Sequence, residues 1–155
     1  MTRACLLGAA DTDLPVDLLA YETARDALSS YDLEEPYANT IAVETISLGA
    51  AVSLLNDLQW YIVRLIEEAI ILEPSVSDSE WLSRDLAEAI RDEDVDPADT
   101  GEFLAIYGLE QREQGPPALL EPMFARRVDG SHPEYDLRDV EETVVVRVTE
   151  SEFGA

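Results

Sequence analysis

The chain contains no lysine; its entire side-chain positive charge comes from ten arginines set against 34 acids, a formal net charge of −24. That lack argues against phosphate-backbone binding, which needs clustered Lys or Arg. The sole basic doublet, Arg126-Arg127, sits in a strand-like segment whose alternation puts one residue on each face, where an ion pair with a nearby acid is the expected role. Cysteine and histidine are each present once, as Cys5 and His132. One cysteine excludes an internal disulfide, and one Cys with one His cannot supply a four-ligand zinc site. A Cys5–His132 nucleophile pair is formally open, but Cys5 lies mid-run in an apolar strand, where a free thiol acts as a small hydrophobe.

Long apolar runs are also missing. Asn56, Asp57, Gln59 and Arg64 interrupt the best candidate, well short of the roughly 18 residues a span requires. The apolar stretch Ala4–Ala10 is brief and runs at once into Asp11 and Asp13, unlike a secretory leader. Leu7-Gly8-Ala9-Ala10 lacks the later glycines of a dinucleotide loop. These absences set the expectations: cytoplasmic, no membrane, no nucleic acid, no cofactor and no bound metal.

What is present is enough apolar material for a core, 46% of 155 residues, so residues 1–150 are expected to form one α+β domain, with 151–155 a frayed tail. Self-repulsion at a charge of −24 strains a compact fold in dilute buffer. In molar salt the Debye length falls to about 3 Å and the repulsion is quenched. Acid excess together with absent lysine reads as adaptation to a salt-filled cytoplasm, with molar salt needed for folding. A DNA mimic would also be acidic but has no reason to avoid lysine.

Along the chain, Ala4–Leu7 reads as a buried strand, followed by a helix from Pro15 to about Ser30 with Asp13 as N-cap. Thr40–Ile46 is β-rich, and strand, helix and strand in this order suggest a right-handed βαβ crossover. Ser47–Leu72 reads as one long, very apolar central helix ended by Pro74, with Leu55, Leu58, Ile62 and Ile66 in the core. Ser77 and Glu80 have capping-box spacing ahead of a helix bearing Trp81, Leu82, Leu86, Ala87 and Ile90. Asp96-Pro97 opens a short helix holding Phe103, Leu104, Ile106 and Tyr107, with Gly108 behind it. Pro122–Val128 and Thr143–Thr149 read as strands pairing in an antiparallel hairpin. The fold expected is therefore α+β: about four strands, a βαβ unit plus a C-terminal hairpin, packed with the central helix and two to three others.

Two groups of residues are candidate sites. Ser53, Asn56, Asp57, Trp60, Arg64 and Glu68 lie three or four apart, so one helical face carries them. Trp60 and Arg64 can stack there, and Asn56, Asp57, Trp60 and Arg64 are candidates to bind a partner or small polar ligand. Asp11 and Asp13, beyond the first strand, with Glu44 in the second, are conceivable divalent-ion ligands, although a chain with 34 acids brings acids together by chance.

The segments Ala42–Tyr61 (AVETISLGAAVSLLNDLQWY) and Glu80–Asp92 (EWLSRDLAEAIRD) resemble a small family of haloarchaeal proteins of unknown function. The resemblance implies a halophilic single-domain protein and no reaction, cofactor or catalytic residue. With little catalytic chemistry in view, the expected function is a non-enzymatic interaction or regulatory module with a protein partner or as a homodimer. The alternative is a small enzyme using carboxylates and Arg64, with a divalent ion.

Overall fold

The computed structural model describes residues 1–127 and 142–153, so His132 lies outside the described residues. The described strands are β1 (Thr2–Gly8), β2 (Thr40–Thr45), β3 (Ile66–Leu72), β4 (Trp81–Ser83), β5 (Phe103–Glu110), β6 (Ala118–Leu119), β7 (Met123–Arg126) and β8 (Glu142–Arg147). They form one mixed sheet curled into a half-barrel, in the order β2-β1-β3-β4-β8-β5-β6, with β7 on the same side of β5 as β6. The helices are α1 (Leu14–Leu19), α2 (Glu22–Leu28), α3 (Leu48–Asp57), α4 (Gln59–Leu65), α5 (Arg84–Arg91) and α6 (Glu150–Phe153). None is long and apolar enough to cross a membrane.

The eight described strands replace the four expected, and the differences have local causes. There is no parallel crossover: β1 and β2 are neighbours but antiparallel, Thr2 opposite Thr45 and Leu7 opposite Thr40. The intervening helix breaks at Ala20–Tyr21, where Tyr21 is extended (φ −85°, ψ 123°), and the chain doubles back to the end of the sheet it left. Asp13 occupies the N-cap position of α1 without a capping bond. Asn39, at φ 62°, does the work instead: its Oδ1 accepts from Leu14 N at 2.7 Å and its Nδ2 donates to the Ala9 carbonyl at 3.0 Å. That amide lies where a Cβ on Gly8 would fall, 2.7 Å away, so β1 must end on glycine.

The long central helix does not exist. Residues 48–65 form α3 and α4, broken at Leu58 (φ −95°, ψ 7°), and 66–72 become β3. A short continuous apolar run fits a buried strand as well as a buried helix. β3 pairs with β1 on one side and β4 on the other. Both its faces are covered, Ala69 and Ile71 by the helical layer and Ile70 by the inner face. Ser77 Oγ accepts from Glu80 N at 3.0 Å, but the chain then enters β4; the helix starts at Ser83, whose Oγ accepts from Leu86 N at 3.2 Å. Asp96 caps only the 3₁₀ turn Pro97–Asp99, and the expected helix through Tyr107 is β5, with Gly108 paired to Thr143. The hairpin also fails: β7 and β8 flank β5 on opposite sides.

Two apolar layers result. Helices α1–α5 cover one face through Leu14, Leu18, Leu28, Val52, Leu55 and Leu86 against Leu6, Ile41, Val43, Ile71 and Leu82. Leu55, Leu58 and Ile62 are buried there, and Ile66 is half-buried against them. The inner face of the curl gathers Cys5, Leu7, Ile70, Trp81, Ala105, Val144, Val146 and Val148 into a second cluster.

At one end of β4, β5, β7 and β8 a single carboxylate binds two arginines. Arg127 Nη2 donates to Glu80 Oε2 at 2.6 Å and Arg147 Nε donates to Glu80 Oε1 at 2.8 Å. Burial works to raise the Glu80 carboxyl, but the two guanidiniums outweigh it and hold it below its ordinary value. Both arginines pass over Gly101, at φ 101°, where a Cβ would lie 3.0 Å from Arg127. Glu80→Gln leaves two half-buried guanidiniums without their anion. Breaking a fully buried pair costs about 3–5 kcal/mol, and the residual solvent access here lowers the expected loss to about 1–3 kcal/mol. Urea denaturation in molar KCl measures it; an unchanged midpoint refutes the role.

Candidate functional site

The break at Leu58 splits the expected polar stripe three ways. Ser53, Asn56 and Asp57 are exposed on α3, where Asn56 Oδ1 accepts from Arg84 Nη2 at 3.0 Å. Trp60 and Arg64 remain together on α4. Glu68, now on β3, lines a cavity at the inner face of the sheet. Of the four candidates, Asn56 and Asp57 thus stand on α3 and Trp60 and Arg64 on α4, where the last two anchor a surface of their own.

That surface is aromatic. The Trp60 ring centroid lies 5.6 Å from that of Tyr21 and 5.1 Å from that of Tyr61, both edge-on. The Arg64 guanidinium lies 3.7 Å from the Trp60 centroid, and its Nη1 donates to the Trp60 carbonyl at 2.6 Å. Trp60 is 50% exposed, with Tyr21 at 42% and Val63 of α4 at 63%. Arg25, exposed on α2, donates to the Leu19 carbonyl at 3.3 Å. Among the described residues Arg25, Arg64 and Arg112 form no ion pair, whereas Arg3, Arg84, Arg91, Arg126, Arg127 and Arg147 do. Tyr21 and Val63 escaped the sequence reading because only the α1–α2 reversal brings Tyr21 to α4.

The cavity on the inner face has a volume of about 210 Å³ and is lined by Glu68, Ser83, Tyr107, Phe124, Glu152 and the small apolar residues Ala105, Val146 and Val148. Burial, then the neighbouring Glu152 carboxylate, pushes Glu68 up to about 7. Burial and the carboxylates of Glu68, Glu67 and Glu152 raise the Tyr107 phenol well above its ordinary value. Tyr107 also borders a second opening of about 330 Å³ between the Gly8–Asn39 corner and Leu119–Pro122. The alternation Phe103, Ala105, Tyr107, Leu109 was the signal that could have placed Tyr107 on a strand face rather than a helix.

The remaining candidates separate. Antiparallel pairing sets Glu44 opposite Arg3, at the start of β1, while Asp11 and Asp13 follow its end. No group of three or more His, Cys, Asp or Glu side chains among the described residues is disposed to hold a metal ion. Cys5 is buried in the inner cluster, and burial pushes its thiol up to about 12, so it supplies no thiolate at neutral pH. Arg126 pairs with Glu102 at 2.6 Å and Arg127 with Glu80.

No curated protein and no solved structure matches the chain. A family model covers residues 2–109, from β1 to the penultimate residue of β5, and thereby takes in the aromatic surface, Glu68, Ser83 and Tyr107; the chain belongs to this family of unknown function (DUF5804).

Proposed function

We propose that the chain is a halophile-adapted, non-enzymatic interaction module that docks a protein partner on the Tyr21–Trp60–Val63 surface. The observation that carries this reading is an exposed indole, 50% accessible, between exposed apolar neighbours and under the Arg64 guanidinium, which forms no ion pair among the described residues of a chain with net charge −24. Trp, Tyr and Arg are the residue types that dominate interface energetics, and the charge pattern suits a partner presenting carboxylates beside an apolar side chain. The acid excess and absent lysine support the salt adaptation and, with it, a cytoplasm rich in salt.

The alternative, an enzyme combining carboxylates with Arg64, has less support among the described residues, where Arg64 stacks on Trp60 and does not line the cavity that holds Glu68 and Glu152.

Affinity capture from native cells in molar KCl tests the reading with Trp60→Ala and Arg64→Ala. Each is expected to weaken capture of a specific partner at least tenfold, since central Trp and Arg truncations cost about 2 kcal/mol or more. The melting temperature should hold to within about 0.5 kcal/mol of stability, as for other surface changes. Sedimentation of the same variants identifies a second copy as the partner if the wild type is dimeric and Trp60→Ala is not. A capture profile and sedimentation coefficient identical to wild type refute the surface.

A further inference from the structure

We propose that α6 is a proton-operated latch on the inner face of the sheet: it docks over the cavity while Glu68 is protonated and releases when Glu68 and Glu152 are both ionised.

The latch is built from few parts. Thr149 and Glu152 form a capping box at the start of α6: Thr149 N donates to Glu152 Oε1 at 2.9 Å and Glu152 N donates to Thr149 Oγ1 at 3.1 Å. The same Oε1 accepts from Ser83 Oγ at 2.6 Å, tying α6 to the end of β4. Phe153 packs beside this tie, its centroid 5.0 Å from Phe103 and 6.4 Å from Phe124. Among the described residues, one side-chain bond to Ser83 and the packing of Phe153 on two phenylalanines thus hold a single turn of helix in place, beside the cavity that Glu68 and Glu152 line.

Glu152 Oε1 thus accepts from two donors, Thr149 N and Ser83 Oγ. Glu68 faces it from β3 and, among the described residues, accepts only from the Ala69 N–H, at 3.2 Å. Among the described residues, the elements around β3 supply no cation to the pair. On its own strand stands Glu67, on α5 Asp85, on β5 Tyr107 and on α6 Glu152; the facing position on β1 is Leu7 and the lining residue from β4 is Ser83. The cations on the packed helices are engaged elsewhere, Arg64 of α4 on Trp60 and Arg84 of α5 on Glu88 and Asn56. Adding a second negative charge to this cavity is unfavourable unless one carboxylate leaves. Glu68 is fixed on a strand paired on both edges, so the one-turn helix is the part that moves.

The sign follows from linkage. With α6 docked, burial first and then the Glu152 carboxylate hold Glu68 up at about 7; release of α6 removes the Glu152 repulsion and lowers that value. Docking is therefore favoured while Glu68 is protonated and weakens as pH rises toward about 7, by at most about tenfold in the docked-to-released ratio per pH unit, then levels off. Screening in molar salt weakens an exposed repulsion far more than one across a partly buried cavity, so the response survives in the salt that folds the protein.

A fluorophore on Ser151→Cys, an exposed position of α6, reports docking through its anisotropy in the full chain between pH 5 and 9 in molar KCl. Cys5 is buried and does not compete for the label. Anisotropy is expected to fall as pH rises toward 7 and to level off above it, while near-ultraviolet circular dichroism of the core stays constant. Adding Glu68→Gln should hold anisotropy high across the range, and adding Ser83→Ala should lower it at every pH. A flat wild-type profile overturns the latch, as does a Glu68→Gln profile that follows the wild type.

Discussion

In about 50 mM salt at neutral pH the protein is expected to lose its cooperative structure, and in about 2 M KCl to regain it. The expectation rests on the balance between an ordinary core and an extraordinary surface. Thirty-four acids face ten arginines, and several described arginines are already committed in pairs, Glu80 taking two by itself. Most of the acids therefore lie on the surface without a counter-charge, and at low ionic strength each feels many others within a Debye length of roughly 14 Å. The apolar layers are unaffected by dilution, so the change isolates the electrostatic contribution. Far-ultraviolet circular dichroism during a KCl titration, with thermal melts at each step, measures it. A matching series in a non-ionic osmolyte separates screening from general exclusion and should restore structure much less well. A full cooperative melt at about 50 mM salt would refute the salt-adaptation reading.

The second large effect is mechanical. Leu55→Ala is expected to cost about 2–5 kcal/mol, with an urea midpoint shifted accordingly in molar KCl. Leu55 is 1% exposed and packs with Leu6, Leu28, Ile41, Val43 and Leu58 around a void of only about 10 Å³, too small to admit a ligand. Removing three carbons enlarges that void at the meeting point of α2, α3, β1 and β2, where the elements are pinned by their own pairings and cannot collapse freely. Val63→Ala, one helix further on and 63% exposed, is the internal comparison and should leave stability unchanged within about 0.5 kcal/mol. Equal losses for both variants, or none for Leu55→Ala, would mean that the helical layer is not the core.

Several elements were legible in the residues. The apolar run at Ala4–Leu7, the β-rich Thr40–Ile46 except its last residue, and the valines at 144–146 lie in strands. Trp60 and Arg64, spaced for a helical stack, do stack. The errors share one origin. Ile66–Leu72 and Phe103–Glu110 continue apolar patterns that a helix or a doubly covered strand satisfies equally, and nothing local, neither Pro nor Gly before residue 74 in the first case, marks the change. Ser77-Asp78-Ser79-Glu80 has the spacing of a cap, and its Ser77–Glu80 bond forms, but a capping bond does not itself compel a helix to follow. The reciprocal box that does open a helix, Thr149 to Glu152, was overlooked among the acids.

By itself the sequence determined what the protein must tolerate and what it must hide: a surface of carboxylates, an arginine complement too small to neutralise it, and enough Leu, Ile and Val for two apolar layers. Those properties are sums over residues and need no coordinates. Only the tertiary structure decided which way the strands run, that Glu68 leaves a helical stripe to meet Glu152 across a cavity, and that Tyr21 joins Trp60. Each of those outcomes depends on pairing between segments tens of residues apart, whose hydrogen bonds and buried faces outweigh the weak local preference of either segment alone.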